Sequence, residues 1–201
     1  VGGGNLNDHM MEQIANKGNG NYEYIDNAAE IQKVFVHEKS KFYTVAKDSK
    51  IQITFNPAMV DSYRLIGYEN RKLEDKDFDD DKKDAGEIGA GQTITALYEL
   101  VLKKTDAMAQ YANFDFRYKL PNSDVSRPLS INITKTPVAF SSASESTRFA
   151  VGVAGFGLLM RESEYKGSLD LKMVQDIAGS AVTFDPYGYR KEFVELTGKI
   201  K

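Results

Sequence analysis

The chain has no cysteine, which excludes disulfides, thiolate metal sites and cysteine nucleophiles and leaves reducing and oxidising compartments equally open. Histidine is scarce, with only His9 and His37. Neither stands near a Gly-x-Ser-x-Gly elbow, and there is no His-Glu-x-x-His metal motif, so catalysis through histidine is not expected. Long hydrophobic runs are lacking as well. The longest, Phe149 to Met160, is about twelve residues and is interrupted by three glycines, well short of the roughly 20 residues that span a bilayer. No membrane insertion by this chain is expected. Neither sign of charge dominates: 26 basic and 29 acidic residues leave a net charge of −3, which gives no bulk attraction to nucleic acid or to an anionic lipid surface. The chain opens on Val1 and three glycines, with no basic n-region and no apolar h-region, and it reads as a cut end rather than a signal peptide.

What is present is enough for a core. At 201 residues with 41% apolar content, a globular chain of one large or two modest domains is expected. Asn7 is placed to cap a short helix carrying Met10, Met11, Ile14 and Ala15, ended by Gly18 or Gly20. Asn21 to Ile25 reads as a strand, and Asp26 or Asn27 caps a second helix with Ala28, Ile31, Val34 and Phe35 inward. This helix-strand-helix unit looks like the tail of a larger α/β domain, because a lone strand between helices belongs to a sheet whose other strands are not here.

From Phe42 the hydrophobic period becomes two. Ile51, Ile53 and Phe55 share one face of a strand that ends at Asn56-Pro57. Further strands are expected at Tyr63 to Glu69, Ile94 to Leu102, Phe114 to Lys119 and Leu129 to Thr134, the last two joined by a turn at Pro121 to Asp124. Strands without intervening helices predict an antiparallel sandwich. The C-terminal third is helical. Ser142 and Glu145 are spaced as a capping box for a helix to about Glu162 with Phe149, Val153, Phe156 and Leu159 on one face. Gly152, Gly155 and Gly157 within it are read as points of close packing. A second helix begins near Ser168 with Leu171, Val174, Ala178 and Ala181 inward. A third starts at Asp185-Pro186 with Tyr189, Phe193, Leu196 and Ile200 repeating at helical spacing. The fold class is therefore α+β: a β-sandwich over 41–140 with a helical subdomain over 141–201, preceded by a truncated α/β tail over 1–40.

Candidate chemistry is sparse. The acidic stretch Glu74, Asp75, Asp77, Asp79, Asp80, Asp81, Asp84 and Glu87 suggests a hard cation, with Asp77, Asp79 and Asp81 as the ligands to test. A calcium loop starting at Asp77 fails at its glycine position, which is Lys82, and at its glutamate position, which is Ile88. Lys76, Lys82 and Lys83 also neutralise part of the run, so a solvated hairpin connection is the favoured reading. The glycines of Asp84-Ala-Gly-Glu-Ile-Gly-Ala-Gly lead into a strand with no following Gly-Lys-Ser/Thr, which argues for turns and bulges over a phosphate loop. Arg64 with Tyr68, and Tyr187, Tyr189 and Arg190 at the start of the last helix, are the residue types that make contact surfaces. No catalytic or cofactor-binding residue is assigned.

The motifs KIQITFNPAMVDSYRLIGYENR, DAGEIGAGQTITALYEL, RFAVGVAGFGLLMRES and DPYGYRKEFVEL, after the tail NLNDHMMEQIANKGNGNYEYIDNAAEIQKVFV, resemble the C-terminal region of bacterial von Willebrand factor type A domain proteins of the YfbK-like group. That resemblance implies that residues 1–40 are the end of the A domain and the remainder an appended domain of unknown function. It also implies that a divalent cation belongs to an Asp-x-Ser-x-Ser loop and two further loops lying before this segment, so no cofactor is expected here. The expected function, in the absence of any catalytic motif, is a noncatalytic interaction or scaffold module with an unknown protein ligand, and the resemblance implies that it belongs to an exported bacterial cell-envelope protein. Two alternatives stand beside that reading: an enzyme acting on envelope glycans through a carboxylate pair about 5–10 Å apart, or a purely structural stabiliser of the A domain. The amphipathic faces of residues 1–40 also allow a swapped homo-oligomer.

Overall fold

The computed structural model describes residues 7–18, 20–67, 74–104, 110–134 and 136–200. Along the chain these form helices α1 (Asp8–Lys17) and α2 (Ala28–Gln32), strands β1 (Thr44–Phe55) and β2 (Val60–Ile66), one helical turn α3 (Asp75–Phe78), strands β3 (Gly86–Gly89), β4 (Leu97–Leu102), β5 (Ala112–Lys119) and β6 (Ser126–Ile133), and helices α4 (Glu145–Met160), α5 (Leu171–Gly179) and α6 (Tyr189–Thr197). The class is α+β with antiparallel sheets. The described residues within 1–60, 71–94 and 103–134 make one compact unit, and those within 61–70, 95–102 and 135–201 make a second.

The first unit is built on a four-stranded sheet of order β3-β1-β5-β6. Its alternation follows the expected period. Ile51 pairs with Phe116 and Phe116 with Leu129, while Ile53 pairs with Phe114 and Phe114 with Ile131. These cross-strand rows put the aromatic and branched side chains on one face, where such neighbours stabilise a sheet. The opposite face carries Lys50, Gln52, Asn113, Asp115, Arg117 and Lys119. β5 and β6 are joined by the expected turn, with the Ser123 amide donating to the Leu120 carbonyl at 3.0 Å. β6 is an edge, and Pro128 lies in it opposite Arg117.

Asn7 caps α1, its side chain accepting from the Met10 amide at 3.0 Å, and Asn27 caps α2 through the amides of Ala29 and Glu30. The expected strand at Asn21 to Ile25 does not form. An isolated extended segment has nowhere to place its backbone donors and acceptors without a neighbouring strand. After α2 the chain continues through a wider helical turn, Lys33–His37, in which Val34 is buried. Ile31 and Phe35, expected inward, are exposed, as are Met10, Met11 and Ile14.

The stretch between β2 and β4 is more structured than a hairpin loop. β2 and β4 do pair, but between them come α3 and then β3, which crosses to the other sheet and pairs with β1. Residues 68 and 69 of the expected strand lie outside the described residues, and β4 begins at Leu97 rather than Ile94. Gly89 makes this crossing possible. A Cβ there would sit 1.9 Å from the Lys41 carbonyl oxygen, a distance no side chain tolerates.

The second unit pairs β2 with β4 and packs α4, α5 and α6 together. Phe193 of α6 meets Phe149 and Phe156 of α4 edge to face, with ring centroids 5.6 and 5.5 Å apart. Val174, Ala178 and Ala181 are fully buried, as the helical spacing required. Gly152 explains the close approach of α4 and α5, since a Cβ there would lie 3.0 Å from that of Ala178. Gly155 faces Leu169 similarly, whereas Gly157 has nothing close to it.

Three helix starts and faces differ from expectation. The cap of α4 is Ser144, not Ser142, with its hydroxyl accepting from the Thr147 amide at 3.1 Å. Residues Phe140–Ser142 form a separate tight turn. The last helix begins at Tyr189, four residues after Asp185, because Gly188 at φ 79° breaks the helical path. Asp185 still caps it from a distance, accepting from the Lys191 amide at 3.0 Å. Amides of Lys191 and Arg190 hold its carboxyl below the usual value against the opposing effect of burial. The buried face of α6 includes Thr197, while Leu196 is exposed.

Replacing Gly89 with alanine is expected to cost about 3 kcal/mol, because the clash is with main-chain atoms that cannot rotate away. Urea unfolding should show a lower midpoint at an unchanged slope. A midpoint equal to that of the parent would mean that β3 does not pass over Lys41 as described.

Candidate functional site

The polar face of the four-stranded sheet gathers the densest electrostatics of the first unit. Antiparallel register sets Lys50 directly opposite Arg117 and Lys47 opposite Lys119. Like charges facing one another across a ladder are destabilising unless something neutralises them. The acidic stretch supplies the neutralisation. Arg117 donates through one terminal nitrogen to Asp79 at 2.7 Å and through the other to Asp81 at 2.8 Å. Lys119 donates to the Asp48 carboxylate at 2.7 Å and to the Asp81 carbonyl at 2.9 Å. Lys50 donates to the carbonyls of Asp77, at 3.3 Å, and Asp80.

Burial makes these contacts matter. Lys50 is 3% exposed and Lys119 8%, and an ammonium taken out of water has to find other oxygens. Lys50 finds main-chain carbonyls at the end of α3, where the helix dipole also favours a cation. Phe78, buried at the end of the same turn, anchors the segment. The segment from Glu74 to Asp84 is thus a strap laid across the sheet. Asp77, Asp79 and Asp81 are brought together by it, but each carboxylate faces a cation of the chain: Lys83 at 3.1 Å for Asp77 and Arg117 for the other two.

Asp48 sits at an irregularity of β1, with φ of 50° and register shifts on both sides. Burial alone would raise its carboxyl, but the hydrogen bond and charge of Lys119 hold it below the usual value. Asp81 is likewise depressed, by a hydrogen bond from Ser126 and by Arg117. Lys119 is raised by its hydrogen bond to Asp48. Glu87 goes the other way: burial, then the charges of Asp48 and Asp84, push its carboxyl up.

The other sequence candidates lie in the second unit. Arg64 donates to Glu99 at 3.1 Å, and its guanidinium lies 4.3 Å from the centre of the Tyr165 ring. Tyr68 is outside the described residues. Tyr187 is exposed and lies 5.7 Å from Tyr189, ring to ring. Arg190 is turned inward. It donates to the Ala181 carbonyl at 2.9 Å and the Ser146 hydroxyl at 3.2 Å, over the Phe149 ring. Its role in the fold is to tie the starts of α4 and α6 to the turn after α5. A cavity of about 190 Å³ in this unit is lined by Ile66, Leu97, Tyr98, Leu158, Leu169 and neighbouring apolar residues, with no carboxylate in its wall.

Lys50, Arg117 and Lys119 were not apparent as a site from the sequence. The signal was available in the alternation of Arg117 and Lys119 on one face of a strand, in a chain with an acidic run elsewhere to meet them.

The titrations oppose one another in a way that can be measured. The contributions of Asp48 and Asp81 are present above the unfolded carboxylate value, about 3.9, and are lost as pH falls through their lower folded values. That of Lys119 is present below about 10.4 and lost as pH rises through its higher folded value. Glu87 favours the folded state only when protonated, and that contribution disappears as pH rises through its elevated folded value. Glu87→Gln should therefore raise the melting temperature by about 2 °C at pH 7, with the gain vanishing below about pH 4. An unchanged or lower melting temperature at pH 7 would mean that burial and the Asp48 and Asp84 charges together do not penalise the ionised Glu87 carboxyl.

Residues 40–201 match the family described as the C-terminal region of the uncharacterized protein YfbK. The uncharacterized protein YfbK of Escherichia coli (strain K12) is 40% identical over 215 residues, covering 98% of this chain and 37% of that protein. The chain thus spans little more than a third of the length of this curated relative. No solved structure matches it. The match over residues 40–201 and the 40% identity along nearly the whole chain place it in the YfbK family, of which it carries the C-terminal domain.

Proposed function

We propose that the chain is a noncatalytic interaction or scaffold module of an exported bacterial cell-envelope protein. The observation that carries this reading is the apolar face of the four-stranded sheet. Leu129 is 48% and Ile131 51% exposed, and they continue the rows of Ile51 with Phe116 and Ile53 with Phe114. A contiguous apolar sheet face open to solvent is the signature of an interface.

In this reading residues 1–40 are the end of a von Willebrand factor A domain. Exposed Met10, Ile14, Phe35 and Val36 are then covered by the rest of that domain or by exchange between two copies. The envelope location follows from the resemblance to A-domain proteins, and any divalent cation belongs to the A domain.

Ile131→Asp in the full-length protein places a charge on the apolar face without touching the strap. Capture of partners from an envelope fraction should fall at least about tenfold, with the circular dichroism spectrum unchanged. Unaltered capture with only a lower melting temperature would favour the structural-stabiliser reading instead. Recovery of the protein solely in the cytosolic fraction would remove the envelope assignment.

A further inference from the structure

The cationic seam under the strap points to a second recognition surface, distinct from the apolar face. We propose that it is a site for an acidic peptide segment bearing two carboxylates two residues apart, presented by a partner protein, and that the chain's own strap is its resident occupant.

The chemistry required of such a ligand is already displayed. Arg117 turns its two terminal nitrogens to the carboxylates of Asp79 and Asp81, while Lys119 and Lys50 take main-chain oxygens of the same segment. The seam therefore reads the carbonyls of a helical turn, Asp77 within α3 and Asp80 just beyond it, together with an Asp-x-Asp spacing. A small inorganic anion would satisfy Arg117 but leave buried Lys50 without the carbonyls it uses, while Lys119 keeps the Asp48 carboxylate. The seam also holds unspent capacity: among the described residues Arg117 Nε is buried with no hydrogen-bond partner.

The strap is bound in a way that permits replacement. Between Glu74 and Asp84 it carries seven carboxylates against three lysines, so charge complementarity holds it down. Yet the carboxylates that pair with Arg117 are 81% and 53% exposed, and such solvent-screened pairs are weak and exchangeable. Phe78 fixes the start of the strap, leaving the part beyond it as the portion that can lift. Lys119 keeps the Asp48 carboxylate when the strap lifts, but buried Lys50 loses the Asp80 carbonyl, so the strap yields only as an incoming acidic backbone takes its place. The arrangement is a competition between a tethered and an external ligand of the same chemistry.

The test uses the whole chain and a fluorescein-labelled peptide, Gly-Ser-Asp-Asp-Asp-Ser-Gly, followed by anisotropy at low salt. Asp79→Asn with Asp81→Asn weakens the resident occupant, and this double variant should bind the peptide about tenfold more tightly than the parent chain. Adding Arg117→Met should abolish the gain, and Arg117→Lys, which keeps the charge and loses the fork, should remove most of it. An Asn-for-Asp version of the peptide should not bind. Equal binding by the parent and the double variant overturns the proposal, as does a gain that survives both Arg117 changes. Displacement of the peptide by inorganic phosphate at equal charge concentration would make the seam a general anion site and refute its assignment to acidic peptides. Circular dichroism of each variant separates loss of binding from loss of fold, and the two Arg117 variants guard against one of them failing to fold.

Discussion

An ammonium group cannot lie buried in a sheet unless oxygens are brought to it, and the first unit is organised around that requirement. Lys50 is nearly inaccessible at the centre of the molecule's longest strand, β1. No carboxylate reaches it among the contacts described; the carbonyls of Asp77 and Asp80 do. To deliver them the chain must leave β2, form the turn α3, lay the strap over the polar face and return. The return path is β3, which completes the sheet on the far side of β1. At position 89, a glycine, that path passes the Lys41 main chain and leaves no room for a side chain.

Much of this was legible beforehand, and the limits are physical. Period-two alternation located β1, β5 and β6 because their faces differ in polarity along their length. The caps Asn7 and Asn27, the inward residues Val174, Ala178 and Ala181, and the turn at Pro121 were equally local signals. The strap was not local. Glu74 to Glu87 has the composition of a solvated loop, and nothing in its own residues reveals the cations that hold it. Those cations sit at positions 50, 117 and 119, and only the pairing of β1 with β5 brings them together. The same reason accounts for Arg190. Its residue type suits a contact surface, but the carbonyl of Ala181 and the ring of Phe149 draw it inward.

Failures at residues 21–35 have a different origin. The pattern there specifies faces, and faces need partners. Among the described residues no strand pairs with Asn21 to Ile25, which stays outside any sheet, and the apolar sides of α1 and α2 meet water. The helices form because Asn7 and Asn27 satisfy their first amides locally. Local order without burial is what capping alone supplies, since most helical stability comes from packing of an apolar face.

The edge strand β6 has a bearing on solubility. An edge offers unpaired backbone groups to any other strand, and an open apolar face beside it compounds the hazard. Pro128 has no amide proton to offer, and Arg127 next to it is a charge at the same end. The stretch from Leu129 to Ile133 remains as template, about the length of an ordinary strand. Uncontrolled sheet extension between copies is thereby discouraged at the strand's start, while the apolar face beside its second half stays open for a specific contact.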